Sequence, residues 1–364
     1  MGKWPSGRAR GQPCDAGTVC GRASEEKTGP GGQSEHIGFN RSCPACEAGQ
    51  ILKWLGPEAV GTCATATWTR YMLSLRDLFL ALLVVLVWGL NFVMIKWGVE
   101  EVPPLFLTGL RYLCAALPMV FFVRRPQVKG ATLITYGLAI GFAQFGLLFS
   151  AIKLGLPAGL ASLIIQTQAF FTFALAMVFL GERLGLAQVI GASVAIVGIA
   201  VIAVERFEIT ALLPLLMVLV AAFFWGVGNI ASKKAGQIDM LSFVVWGSLV
   251  PIVPLFGLSL LVEGPQAIGL ALGNFSLRSI GVVLFNGYAA TIIGFGLWSY
   301  LLKRYPAGLI APFSLLVPVF GIGFAVVLLG ETISSFEVVG SALVFMGLAI
   351  NVFGPRIFRR RFSA

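Results

Sequence analysis

The feature that most restricts the fold is a series of apolar segments, each close to the length that crosses a bilayer. The first runs from about Leu78 to Trp97, and a helix needs about 20 residues to span the hydrocarbon core. Turn residues and charges divide the chain beyond Met72 into ten such segments. They are predicted at 78–97, 104–123, 131–152, 157–180, 186–204, 211–230, 241–262, 279–302, 306–329 and 335–354. This pattern predicts an all-α membrane protein with ten transmembrane helices.

The charge distribution predicts the orientation of these helices. The chain is 57% apolar and 12% charged with a net charge of +10, but its basic residues are scattered singly, which argues against nucleic-acid binding. Basic residues concentrate in cytoplasmic loops of membrane proteins. With the N-terminus inside, thirteen basic residues fall on the cytoplasmic side and four outside, with Arg111 set aside as intramembrane. Both termini are therefore expected in the cytoplasm, as in a multi-pass membrane protein.

Residues 1–71 differ in kind from the rest of the chain. They are rich in Gly, Pro, Ser and Thr, and they hold the only histidine and five of the six cysteines. The CPAC pair at 43–46 has the spacing of a zinc knuckle, but no second pair follows it. We therefore expect a disordered or spurious N-terminal extension without a metal site. A chain that begins at Met72 is expected to insert into the membrane and to function like the full chain.

The two halves of the remaining chain repeat each other. PAGLASLIIQ at 157 returns as PAGLIAPFSL at 306, and the same offset of 149 superposes Gly191 on Gly340 and Gly198 on Gly347. Each half contains five spans, an odd number, so the second half is inverted relative to the first. The predicted units are a first repeat at 72–204, a second at 205–355 and a basic cytoplasmic tail at 356–364.

Inverted repeats are typical of secondary transporters, whose substrate site lies near the midplane between the halves. Polar residues within the spans are the candidates for that site. Asn91 and Asn229 occupy related positions on the first helix of each half, and Arg111 is the only charge well inside a span. Each has an alternative: the asparagines could bond between helices, and the arginine could be structural or hold a gate. The remaining candidates are Gln144, Gln166, Asn286 and Ser314, with Trp88 and Trp225 as apolar walls.

Gln166 and Gln168 lie about 200° apart on a regular helix, so only one is expected to point fully into a cavity, and we select Gln166. The ten acidic residues beyond Met72 lie at predicted helix ends or in loops, and no carboxylate relay for protons is visible. The Gly-Glu turns at Glu182 and Glu331 are interpreted as helix-entry or interface features. The sequence contains no recognisable nucleophile constellation, phosphate-binding loop or metal cluster, so we expect neither an enzyme nor a cofactor.

Several stretches of the chain resemble a known family. They are ALLVVLVWGLNFVMIKWG, PAGLASLIIQTQAFFTFAL, GERL, APFSLLVPVFGI and GLAINVFG, and over residues 75–354 they are similar to the EamA family of the drug/metabolite transporter superfamily. Within it the resemblance is to exporters of O-acetylserine and cysteine, which implies the inner membrane of a bacterial cell. It implies alternating-access export of a small zwitterionic amino-acid metabolite. Export of another metabolite, such as an aromatic amino acid or a drug-like amine, stays open, as do a passive channel, coupling to a proton gradient and the oligomeric state.

Overall fold

The computed structural model describes residues 74–181, 186–205, 209–236, 238–305 and 310–362. Every regular element in these ranges is helical, which confirms the predicted all-α class. The extension at 1–71 and Glu182 lie outside the described residues.

Each predicted apolar segment of the first half contains helix, and the segments keep their numbers below. The helices are Leu75–Glu101 (first), Pro104–Ala116 with a 3-10 turn at Met119–Phe121 (second), Gly130–Tyr136, Gly137–Gln144 and Phe145–Lys153 (third), Ala158–Ile164, Ile165–Thr167 and Gln168–Leu180 (fourth), and Leu186–Glu205 (fifth). Gly137–Gln144 is a π-helix and Ile165–Thr167 a 3-10 turn. The second helix ends before its predicted limit, because Pro118 offers no backbone N–H to continue it.

The second half follows the same plan. Its helices are Ile209–Ala235 (sixth), Met240–Gly247 and Ile252–Val262 (seventh), Leu277–Leu284, Phe285–Ile293 and Gly294–Arg304 (eighth), Ala311–Leu315 and Leu316–Leu329 (ninth), and Ser335–Phe362 (tenth). A short helix, Pro265–Gly273, was not predicted. Seven of the described segments are long and apolar enough to cross a membrane, and shorter apolar helices occur at 189–204, 313–329 and 335–350. The exact number of crossings stays a prediction.

Local signals explain several helix ends and recur between the halves. The Ser74 hydroxyl accepts a hydrogen bond from the backbone N–H of Asp77 and caps the first helix. Gly181 and Gly330 end the fourth and ninth segments at positive φ, +67° and +65°, where a glycine is favoured. The π-helices at Gly137–Gln144 and Phe285–Ile293 also fall at equivalent places.

The fifth and tenth segments show directly that the halves run in opposite directions. A Cβ placed on Gly198 would lie 2.6 Å from the carbonyl oxygen of Gly340, and one on Gly347 would lie 2.5 Å from that of Gly191. These four glycines are the two pairs that the repeat superposes. The crossed contacts are those expected of elements related by a two-fold axis. Because Gly198 contacts Gly340 and Gly191 contacts Gly347, the two helices are antiparallel, as an inverted repeat requires.

A second set of contacts obeys the same symmetry. A Cβ on Gly89 in the first segment would lie 2.6 Å from the Cβ of Phe320 in the ninth. A Cβ on Gly226 in the sixth would lie 3.1 Å from the Cβ of Phe171 in the fourth. The glycines of the Trp-Gly pairs at 88 and 225 therefore let the first helix approach the ninth closely, and the sixth helix approach the fourth.

Candidate functional site

A cavity of about 320 Å³ lies at the centre of the bundle. Its walls come mainly from the first, third and fourth segments and from their counterparts, the sixth, eighth and ninth. The second segment adds Arg111 and the seventh adds Met240. The described parts of the fifth and tenth segments do not line it.

Eight of the nine candidate residues chosen from the sequence lie on the wall of this cavity. They are Trp88, Asn91, Arg111, Gln144, Gln166, Trp225, Asn229 and Ser314. The ninth, Asn286, is buried behind the wall, where its side-chain oxygen contacts the guanidinium of Arg111. The structure therefore brings together residues from helices far apart in sequence.

Arg111 is buried, with 2% of its surface exposed, and its guanidinium bonds to the eighth segment. Nε and Nη2 donate to the hydroxyl oxygen of Thr291 at 3.3 and 3.0 Å, and Nη1 approaches Oδ1 of Asn286 at 3.4 Å. The Phe145 ring lies beneath the guanidinium, 3.7 Å from its centroid to Cζ.

These contacts stabilise a cation only partly. Thr291 and Asn286 offer neutral oxygens, and the face of an aromatic ring attracts a guanidinium by about 1–2 kcal/mol where water is excluded. A buried arginine at membrane depth costs about 3 kcal/mol on insertion scales. Within the described part of the chain, no carboxylate pairs with Arg111. The positive charge is thus left available to an anionic group that enters the cavity.

Two further polar side chains on the wall have unused hydrogen-bonding capacity. Gln144 is 1% exposed, and neither its amide nitrogen nor its oxygen has a partner among the described residues. Asn91 is 6% exposed, and its Oδ1 likewise has none. A buried polar group without a partner costs about 1–3 kcal/mol. The cavity therefore contains donors and acceptors that a polar ligand would satisfy.

The other amides on the wall are already bonded. Gln166 donates through Nε2 to the carbonyl oxygen of Ser314 at 2.9 Å. Asn229 donates through Nδ2 to Oε1 of Gln168 at 2.7 Å and to the hydroxyl of Thr172 at 3.0 Å. Gln168 also lines the cavity, beside Gln166, the glutamine selected from the sequence as pointing fully into it. The 3-10 turn at Ile165–Thr167 interrupts the regular helix on which that selection rested.

Aromatic residues form about half of the apolar part of the wall. The Trp88 ring lies 5.3 Å from that of Trp298 and 5.4 Å from that of Phe295, measured between centroids. Its indole nitrogen donates to the carbonyl oxygen of Ala290 at 2.9 Å, so the ring is held in place. Trp225 supplies a further aromatic surface from the sixth segment.

Sequence reasoning missed several residues of this site. Tyr136 and Phe145 line the cavity, Thr291 holds Arg111, and Ser299 adds a hydroxyl to the wall. Aromatics make up 12% of the chain and hydroxyl residues are frequent in apolar helices, so neither type stands out. The one available signal was position, since Thr291 lies in the same apolar segment as the candidate Asn286.

The two ends of the bundle differ. Arg124, Arg125, Lys129 and Lys234 lie at one end, called the basic end, and the cavity extends toward it as far as Ser232 and Met240. There, Asp77 is buried, accepts a hydrogen bond from the Tyr305 hydroxyl at 2.6 Å and forms an ion pair with Nε of Arg304 at 3.4 Å.

At the opposite end, two carboxylates hold the starts of helices. Glu263 accepts from the backbone N–H groups of Leu105 and Phe106 at 2.7 and 3.1 Å. Glu331 accepts from those of Ala158 and Gly159 at 2.6 and 3.0 Å, which confirms its predicted role as a helix-entry feature.

Further polar contacts cross between the first and eighth segments at this opposite end. Glu101 accepts from the hydroxyls of Ser276 and Ser279, and Glu100 forms an ion pair with Arg278 at 3.0 Å. These contacts join neighbouring helices where the cavity ends.

Comparison with known proteins agrees with this architecture. The EamA-like transporter family model matches residues 75–204 and again 212–353. A probable amino-acid metabolite efflux pump from Salmonella typhimurium is 48% identical over 293 residues, covering 79% of this chain and 98% of its own length. Its Escherichia coli K12 namesake is 44% identical, covering 78% and 97%.

A more distant relative and one solved structure extend the comparison. A probable terminal-alkyne amino-acid exporter from Streptantibioticus cattleyicolor is 30% identical, covering 74% of this chain and 90% of its own. A crystal structure at 21% identity matches with a TM-score of 0.55, covering 79% of this chain and 98% of its own, and shows the fold alone. With its apolar helices and a family model matching both halves, this chain is a multi-pass membrane protein of the EamA-like transporter family.

Proposed function

We propose that the chain exports small zwitterionic amino-acid metabolites, of the O-acetylserine and cysteine type, by alternating access. The observation that carries this proposal is the buried Arg111 guanidinium, which lines the cavity while bonding only to neutral oxygens among the described residues. Two relatives of the chain that are called probable amino-acid metabolite efflux pumps support an exporter of this substrate class.

A zwitterion fits the distribution of groups around the cavity. Its carboxylate would bind the guanidinium of Arg111 through charge-assisted hydrogen bonds. Its ammonium group would donate to the unpaired oxygens of Asn91 and Gln144 and face the ring of Trp88. A cavity of about 320 Å³ lies at the small end of the range for ligand sites, which favours a compact substrate.

Alternating access requires the cavity to open on each side of the membrane in turn. If the basic end faces the cytoplasm, as the positive-inside rule predicts, the cavity here extends toward the cytoplasm. The contacts at the opposite end, Glu263 with Leu105 and Glu331 with Ala158, would then close the outer side. Export would require the helices joined there to separate while those at the basic end close.

Reconstitution would test the proposed function. Proteoliposomes containing the full chain and loaded with labelled O-acetylserine or cysteine should release substrate faster than protein-free vesicles. External unlabelled substrate should accelerate the release, because a carrier exchanges substrate across the membrane whereas a passive channel does not. Release of an aromatic amino acid or a drug-like amine in preference to O-acetylserine would contradict the substrate class. Repeating the assay with and without a proton gradient would identify coupling.

The predicted topology has its own test. Gln127 and Pro265 are exposed and lie in connections at opposite ends of the bundle. In a background in which the native cysteines are serine, Gln127→Cys should react with an impermeant thiol reagent only after the cells are permeabilised. Pro265→Cys should react in intact cells. Labelling of both from one side would contradict the assignment of the basic end to the cytoplasm.

A further inference from the structure

A second concave site, separate from the central cavity, lies near the basic end of the bundle. The third, fourth and sixth segments form this surface groove of about 260 Å³. Ile230 and Ala231 are buried at its floor, Thr135 and Phe179 form exposed walls, and Lys234 also lines it.

The groove and the cavity use different faces of the sixth segment. Asn229 and Ser232 line the cavity, whereas Ile230, Ala231 and Lys234 line the groove. The third segment divides in the same way, since Tyr136 faces the cavity and Thr135 the groove. The groove therefore opens on the outer surface of the bundle. In a membrane protein this surface contacts lipid.

The charge at the groove favours an anionic occupant. Among the described residues that line the groove, Lys234 is the one that carries a charge, and its Nζ lies 5.2 Å from the centroid of the Phe179 ring. Lys234 is in the last turn of the sixth helix, where the chain leaves the apolar region and headgroups are expected. The hydroxyl residue Thr132 also lines the groove. An apolar groove that carries a single lysine close to the helix end matches a lipid with an acyl chain and a negative headgroup.

We propose that this groove binds an anionic phospholipid, with one acyl chain along Ile230 and Phe179 and the phosphate beside Lys234. The remaining lining is apolar apart from the threonines in the described part of the chain, which suits a hydrocarbon chain better than a polar metabolite. A bound lipid would hold the third, fourth and sixth segments together. Because these same segments form walls of the cavity, occupancy would stabilise the arrangement described here.

The test compares lipids on the full-length purified protein. Native mass spectrometry with added phosphatidylglycerol or phosphatidylcholine of equal chain length should show preferential retention of phosphatidylglycerol. Lys234→Gln should weaken that retention about fivefold, the effect of losing about one favourable lysine contact. Lys129→Gln is the control. It removes one positive charge at the basic end, but Lys129 does not line the groove, so retention of phosphatidylglycerol should stay unchanged. Ala131→Phe should fill the groove and weaken retention while Lys234 remains.

The outcomes separate a specific site from general attraction to the basic end. Equal losses for Lys234→Gln and Lys129→Gln would overturn the proposal and indicate diffuse surface charge. Equal retention of both lipids by the unmodified protein would overturn it as well.

Discussion

Replacing Arg111 with lysine is expected to reduce export of carboxylate-bearing substrates about tenfold while the protein remains in the membrane. The planar guanidinium donates to Thr291 and Asn286 and still faces the cavity. Lysine keeps the charge but lacks this planar set of donors. Loss of one charge-assisted hydrogen bond, about 1.4 kcal/mol, corresponds to a tenfold effect. The measurement is the initial rate of release from proteoliposomes at equal protein content.

Paired substrates distinguish substrate binding by Arg111 from a purely structural role. If the guanidinium binds the carboxylate, Arg111→Lys should impair export of O-acetylserine much more than export of its carboxamide analogue. If the side chain only joins the second and eighth segments, both substrates should be affected equally, and the melting temperature should fall. Arg278→Lys, at an exposed ion pair with Glu100, is the matched control and should leave export unchanged.

Much of the fold could be predicted because bilayer length and internal repetition are strong signals. Each predicted apolar segment contains helix, and the repeated glycines at 191, 198, 340 and 347 meet at a helix crossing. The π-helices and the split of the seventh segment could not be predicted, since they depend on tertiary packing. Gly137, in a π-helix, lies so close to Gly247 that a Cβ would approach the Gly247 carbonyl oxygen to 2.6 Å.

The residues of the candidate site could be selected from the sequence, but their pairing could not. Polar residues stand out in apolar helices, and this contrast identified Arg111, Asn91 and Gln144. Whether such a residue is bonded or unpaired depends on helices more than 100 positions away, as for Arg111 and Thr291. Periodicity gives little help, because segments that are apolar nearly all round do not reveal which face is turned inward.

The repeat also locates the asymmetry of the site. In the eighth segment, Gly287 packs against Cys114 and the carbonyl oxygen of Arg111. In the third segment, its counterpart Gly137 packs against Val250 and the carbonyl oxygen of Gly247. The two contacts are equivalent in the repeat, so Gly247 is the counterpart of Arg111. A Cβ on Gly247 would lie 2.8 Å from the Tyr136 ring, so an aromatic residue abuts the position from which a second arginine would extend. The cavity is left with one cationic side and one neutral side, which is compatible with the proposed zwitterionic substrate.

The unpaired amides lead to a prediction in which stability and transport change in opposite directions. Gln144→Leu removes two buried polar atoms that have no partner among the described residues. The substrate-free protein should therefore gain about 1 kcal/mol of unfolding free energy. Export should nevertheless fall about tenfold, because a site built to bond a polar substrate discriminates through those groups. Asn91→Ala should likewise reduce export at unchanged membrane abundance.

Gln166→Leu is the matched comparison, since it makes the same substitution at a residue whose amide is already bonded. Loss of its hydrogen bond to the Ser314 carbonyl oxygen should lower both export and the melting temperature. Thermal melts of detergent-solubilised protein, measured beside release from proteoliposomes, would separate the two behaviours. Normal export by both Asn91→Ala and Gln144→Leu would mean that these amides are packing contacts and that the substrate binds elsewhere. A lower melting temperature for Gln144→Leu would mean that its amide is satisfied in the substrate-free protein, for example by bound water.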